Sequence, residues 1–173
     1  VESRLMPLAQ RAGLADLAAL IRKLRSGDEA AIVDVVEAMT TNETFFFRDK
    51  LPFQHFRDTM IPALMAARAN ARRLRIWCAA AASGQEPYSL AMLLKDALPP
   101  GWRVEIMATD LSLEVLEKAK AGIYSQFEVQ RGLPIQLLIK YFVQIGETWQ
   151  IAPELRAMVQ FRPFNLMNDF ASL

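Results

Sequence analysis

Ile76-Trp-Cys-Ala-Ala-Ala-Ala-Ser-Gly-Gln-Glu-Pro-Tyr-Ser89, followed by Ala108-Thr-Asp110, is the stretch whose reading decides the fold. Apolar residues over 74–79 predict a strand, which opens into a loop of small side chains before a helix over 86–97. A second apolar run over 104–109 predicts another strand, and it ends on an acid. This is the layout with which an α/β sheet holds a nucleoside. Side chains no larger than alanine or serine from Ala79 to Ser83 let a ligand approach the backbone. Asp110, at the C-terminal end of the second strand, can accept hydrogen bonds from a ribose diol. The loop carries only Gly84, so the glycine fingerprint of dinucleotide sites is absent. The same residues also suit a turn that only packs a helix onto a sheet, and spacing alone leaves both readings open.

Composition narrows the class. The chain has 173 residues, 53% of them hydrophobic, enough for a packed core and too apolar for a disordered segment. No apolar run approaches the ~20 residues that span a bilayer, so membrane insertion is not expected. No signal-peptide pattern opens the chain, and the single cysteine, Cys78, rules out an internal disulfide. Both point to a cytoplasmic, reducing compartment. Cys78 lies within an apolar strand and reads as a packed thiol. Twenty Lys and Arg against nineteen Asp and Glu leave a net charge of +1, without the basic excess of a nucleic-acid reader. Arg68, Arg72, Arg73 and Arg75 read as a solvated face at a helix end. One histidine and one cysteine make a dedicated zinc site improbable, and no metal is expected.

The first seventy residues read as helical. Leu5, Leu8, Leu14, Leu17, Leu20, Ile21 and Leu24 recur near helical spacing, interrupted by Gly13. Asp28 suits the N-cap of a helix over 29–39. Thr40 with Glu43 three residues on has the pattern of a capping box. Phe45, Phe46 and Phe47 read as core, and Pro52 fits the start of a helix running to about residue 68. Beyond 74 the order is strand, helix, strand and helix (112–121, with Ser112 as N-cap), which argues a parallel sheet with crossover helices. A short helix from Pro134 ends near 141. A hairpin over 142–145 and 148–151 turns at Gly146-Glu147. A helical turn over 153–157 and a third sheet strand over 159–164 complete the reading.

Taken together, four segments resemble the chemotaxis receptor methyltransferase family (CheR). They are Thr40-Thr-Asn-Glu-Thr-Phe-Phe-Phe-Arg48, the stretch from Trp77 to Ser89, Ala108-Thr-Asp-Leu111 with Leu116 to Tyr124, and Phe161 to Leu166. They are collinear, spaced as in the family, and cover roughly residues 4–168. The resemblance implies an α/β fold in which a helical N-terminal subdomain precedes the first part of a Rossmann-like methyltransferase sheet with a small β-hairpin insertion. It implies a receptor-facing region over 1–70 and a partial cofactor-binding domain over 71–173, with the β-subdomain at about 141–152. The implied cofactor is S-adenosyl-L-methionine, with S-adenosylhomocysteine as product. The implied reaction is O-methylation of glutamate side chains on the cytoplasmic domain of methyl-accepting chemotaxis receptors.

Carried over by position, the cofactor contacts fall on Asn42, Thr44, Arg48, Glu86, Asp110, Asn165 and Leu166. Arg48 offers a planar fork of donors matched to the methionyl carboxylate. It is also the candidate catalytic group, in a positioning role near the reacting atoms. Glu86 suits the cofactor ammonium, and its charge argues against a phosphate at that helix start. Asp110 matches the ribose acid, and Asn165 and Leu166 match residues flanking adenine. Ala82 and Gln85 depart from the family's usual serine and glutamate and are expected to alter hydrogen bonds in the loop. Arg4 and Arg11, seven apart and so on one helical face, match the receptor-binding helix.

Against the family's seven-stranded sheet the chain is expected to fall short at both ends. Three strands leave 74–79 with an open apolar edge, a place for self-association. Two alternatives accompany the enzyme reading: a non-catalytic receptor-interaction or cofactor-binding module, and a methyltransferase acting on another substrate.

Overall fold

A computed structural model describes residues 1–172. Its N-terminal part is three helices, α1 (Glu2–Arg11), α2 (Leu17–Arg25) and α3 (Glu29–Met39). The side chain of Asp16 accepts the Ala19 N–H at 2.7 Å to cap α2, and Asp28 accepts that of Ala31 at 2.8 Å to cap α3. Leu8, Ala9 and Leu20 form a small core, packed by Leu5, Leu14, Leu17, Leu24, Val35 and Ala38.

Thr40 does not begin a helix. It ends α3, its hydroxyl donating to the Glu37 carbonyl at 2.8 Å, and residues 40–45 run on without helical structure. The capping-box pattern fails because Thr40 already serves the preceding helix. The helix expected from Pro52 is present as α4 (Leu51–His55), a π turn (Phe56–Met60) and α5 (Ile61–Ala67). Pro62 lacks the N–H that a regular turn would use, and the widened turn lies just before it. Phe53, Phe56 and Ile61 of this segment are buried in the larger core, not with α1–α3. The apolar packing therefore divides earlier than residue 70.

The main sheet is β1 (Arg73–Ala79), β2 (Arg103–Asp110) and β6 (Val159–Pro163), all parallel, in the order β1-β2-β6. The crossovers are α6 (Gln85–Ala97) and α7 (Leu113–Ala121), with Ser112 capping α7 as expected. Alternation assigns the two faces. Leu74, Cys78, Ile106, Ala108, Val159 and Phe161 are buried in one core with Tyr88, Ala91 and Met92 of α6. Arg73, Arg75 and Trp77 point the other way, level with Arg103, Glu105 and Met107 across the register. Arg73 and Arg75 are thus strand residues paired with Glu105, at 2.7 and 3.9 Å, and not part of a helix-end face. Among the described residues β1 has one neighbour, β2, and so forms one edge of the sheet, with β6 at the other.

The insertion is larger than a hairpin. β4 (Phe142–Ile145) and β5 (Thr148–Ile151) pair as expected, and β3 (Ile123–Ser125) adds antiparallel to β5, giving the order β3-β5-β4. Three residues are too few to show alternation. Helix α8 (Gln126–Gln130) follows, started by a capping box of Ser125 and Glu128. Helix α9 (Ile135–Tyr141) precedes the hairpin, and α10 (Pro153–Arg156) leads into β6.

Gly84 is required where α6 meets the sheet. Its φ is +91°, and an added Cβ would lie 2.9 Å from the Ala119 Cβ and 3.2 Å from both Phe161 and Tyr124. Replacing it strains the backbone and overfills a packed core. Gly84→Ala is expected to lower the free energy of unfolding by about 1–3 kcal/mol in urea titrations. An unchanged midpoint would show that this close approach relaxes freely.

Candidate functional site

Beyond Ala79 the chain turns through Ala80 and Ala82, both non-glycine residues in the left-handed region, at φ +57° and +47°. Such backbone persists only where the surroundings hold it. Here Ala81 N–H donates to the Thr109 carbonyl at 2.9 Å, and the Tyr124 hydroxyl donates to the Ser83 carbonyl at 2.8 Å. Ala82 N–H donates to Oδ2 of Asp110 at 2.7 Å, and Ser112 N–H donates to Oδ1 at 3.0 Å. Asp110 is 7% exposed. One amide on each oxygen leaves each with a further lone pair for a ligand. The Gln85 side chain accepts from Ser83 Oγ at 2.9 Å, a hydrogen bond made by one of the two departures from the family pattern.

The opposite wall is the stretch after α3. Arg4 on α1 donates to the carbonyls of Met39 and Thr40, each at 3.0 Å, and to Thr41 Oγ1 at 3.3 Å. Phe46 is fully buried, edge-on to Tyr124 and Phe142, with ring centroids 5.0 and 5.6 Å away. Phe47 N–H donates to Ser89 Oγ on α6 at 3.1 Å. Behind the wall, Gly132 sits so close that an added Cβ would fall 2.0 Å from the Phe46 carbonyl oxygen. Arg131 lies over the Phe45 ring and pairs with Glu43 at 3.1 Å. Arg48 Nη1 donates to the Glu43 carbonyl at 2.8 Å, which turns the half-exposed guanidinium along the wall.

Between the walls lies a cleft of about 340 Å³, at the C-terminal ends of β1, β2 and β6. Open α/β sheets bind ligands at this end of their strands. Asn42, Thr44, Arg48, Glu86, Asp110, Asn165 and Leu166 all line it, although they come from four separate segments of the sequence. Thr40, Thr41, the alanines of the loop, Leu111 and Phe164 complete most of the lining. Arg4 and Arg11 are not among the lining residues and sit on α1, Arg4 behind the wall and Arg11 exposed in the last turn. Arg48 is the only cation among the described lining residues, beside three acids, Glu43, Glu86 and Asp110, the first of them paired with Arg131. That donor and acceptor set fits an ammonium, a ribose and a carboxylate, and it offers little to a polyphosphate. Among the described residues there is no cluster of three or more metal-ligating side chains, and no helix is long and apolar enough to cross a membrane.

The model of the CheR methyltransferase SAM binding domain matches residues 42–173. The chain belongs to the CheR family. Chemotaxis protein methyltransferase 1 of Pseudomonas aeruginosa is 41% identical over 181 residues, covering all of this chain and 65% of that protein. The chemotaxis protein methyltransferase of Vibrio parahaemolyticus is 39% identical, over 99% of this chain and 63% of its own length. That of Escherichia coli K12 is 35% identical, over 96% of this chain and 58% of its own length. The chain therefore spans less than two thirds of the length of these relatives. It carries the family's S-adenosylmethionine-binding domain from Asn42 onward, the same residue at which the cleft's first candidate contact lies.

Sequence reading missed one group near this site. Glu37, on α3, accepts hydrogen bonds from Ser112 Oγ and Leu113 N–H, each at 2.5 Å. The partners are 75 and 76 residues away in the chain, so no local pattern announces them.

Cys78 lies under the loop, 2% exposed. Burial, and secondarily the nearby Glu86 carboxylate, push its thiol up to about 12 from an ordinary 9.0. Below pH 9 the thiol is protonated in both folded and unfolded chains. Between about 9 and 12 only the unfolded chain ionises, so stability falls as pH rises through that window. Native Cys78 is expected to resist iodoacetamide at pH 8 while the urea-unfolded chain is labelled fully. Equal rates in the two states would contradict the burial argument.

Proposed function

We propose that this CheR-family chain binds S-adenosyl-L-methionine in the cleft, as part of a protein-glutamate O-methyltransferase acting on chemoreceptor cytoplasmic domains. One observation carries the reading: all seven residues matched to family cofactor contacts line a single cleft at the carboxyl ends of the strands. In this assignment Asp110 takes the ribose hydroxyls, and Asn165 with Leu166 flanks the adenine. Glu86 takes the ammonium, Arg48 takes the methionyl carboxylate, and Asn42 and Thr44 complete that wall. The names of the relatives support chemotaxis as the setting, and a substrate in the receptor's cytoplasmic domain would put the reaction in the cytoplasm.

The bound cofactor supplies an electrophilic methyl group on a sulfonium centre. A substrate glutamate, with an ordinary pKa of about 4.3, is already ionised near neutral pH and needs no general base. The work left to the protein is alignment and exclusion of water. Phe164, Leu111 and Leu166 provide apolar lining beside the polar contacts. Arg48 holds one end of the cofactor and so fixes where the methyl group lies, a positioning role. No side chain here is assigned a proton transfer.

On the receptor side we assign residues 1–70 to the receptor-facing region, whose stretch after α3 also supplies one wall of the cleft, and 71–173 to the rest of the partial cofactor domain, and we place Arg4 and Arg11 on the surface that meets the receptor. Arg4 already serves the end of α3, so Arg11 is the cleaner probe of steering. Reversing its charge is expected to slow methylation of receptor fragments and to flatten its salt dependence. Unchanged rates at all salt concentrations would contradict the assignment.

Calorimetry with S-adenosylhomocysteine tests the cleft. Asp110→Ala is expected to weaken binding by about 1–3 kcal/mol, the scale of lost charged hydrogen bonds. Arg48→Ala is expected to weaken S-adenosylhomocysteine while leaving adenosine unaffected, because adenosine has no carboxylate. Unchanged affinity in either variant would overturn the corresponding contact.

A further inference from the structure

We propose that Glu37, a residue of the N-terminal helices, is a positioning residue for the cofactor cleft, acting on Asp110 through Ser112. The proposal rests on the S-adenosylmethionine reading of that cleft. Glu37 lies outside the matched span of the family's cofactor-binding domain, which begins at residue 42. Its carboxylate nevertheless reaches the first turn of α7, accepting from Ser112 Oγ and Leu113 N–H at 2.5 Å and from Glu114 N–H at 3.3 Å. Two backbone donors left without partners at a helix start are thus satisfied by a charge from another part of the chain.

The contact does more than cap. Ser112 is fully buried, and its hydroxyl both donates to Glu37 and accepts the Val115 N–H at 3.3 Å. With its side chain so fixed, the Ser112 N–H points at Oδ1 of Asp110, at 3.0 Å. The other oxygen of Asp110 receives Ala82 from the left-handed loop. A continuous hydrogen-bonded chain therefore runs from Glu37 through Ser112 and Asp110 to Ala82. Glu37 also sits three residues before Thr40, where the opposite wall of the cleft begins, and Arg4 anchors that end of α3. One side chain sets the distance between the wall that starts at Thr40 and the acid that faces it.

The test uses the chain as it stands, in wild type, Glu37→Ala and Glu37→Gln. Residue-resolved amide exchange by NMR, without ligand, is expected to quicken about tenfold at Ala82, Ser112 and Leu113 in Glu37→Ala. The change in Glu37→Gln is expected to be smaller, since the amide oxygen can still accept from Leu113. Central amides of α6 are expected to be unaffected. Unchanged exchange at Ala82 and Ser112, or a uniform rise throughout the chain, would overturn the proposal. The second readout compares S-adenosylhomocysteine with its 2′-deoxy analogue. Glu37→Ala is expected to weaken the former about five- to twentyfold and the latter much less, because the loss falls on the ribose contact. An equal loss for both ligands would reduce Glu37 to a structural cap and overturn the positioning role. If wild type binds neither ligand, the cofactor reading fails, and the exchange data alone decide whether Glu37 orders Asp110.

Discussion

The carboxylate of Asp110 is the interaction on which the rest of the site depends. It stands at the end of β2 and takes an amide from the loop after β1 on one oxygen and an amide from the start of α7 on the other. A buried carboxylate is costly unless it is hydrogen-bonded, and here both oxygens are. In return, the charge holds Ala82 in a backbone conformation that alanine rarely adopts. The loop of small residues, the helix it opens into and the crossover helix all meet at this one group. A ribose placed there would complete its hydrogen bonding, not compete for it.

Much of this was legible in the sequence because it is local. Asp28, Ser112 and the apolar runs of the three parallel strands stand out where the structure uses them. The hairpin of β4 and β5 was readable from two short apolar runs around Gly146. Asp110 is legible as a candidate ribose acid from its place at the end of a strand, whereas grouping it with the other candidate contacts rests on family resemblance, since nothing in their spacing joins Arg48 to Asn165. What could not be read is long-range or very short. β3 is three residues pairing with a strand more than twenty positions on. Thr40 misled because one residue pattern serves both helix starts and helix ends. Glu37 could not be found at all, since its partners lie across the fold.

The two parts of the molecule are consequently less separable than their cores suggest. The small core of α1–α3 and the large core around the sheet are distinct apolar clusters. Their polar connections converge on one place: Arg4 and Glu37 both bind groups that line or flank the cleft. In the proposed function, the helices facing the receptor and the walls holding the cofactor share α3.

In the proposed function, residues from these separate segments form one cofactor site. A titration of the isotopically labelled chain with S-adenosylhomocysteine, followed by amide chemical shifts, addresses it most directly. Amides around Asn42 to Arg48, Ala80 to Glu86, Asp110 to Ser112, and Asn165 to Leu166 are expected to move together with one dissociation constant. Shifts confined to one wall, or to the open face around Arg73 and Trp77, would contradict it.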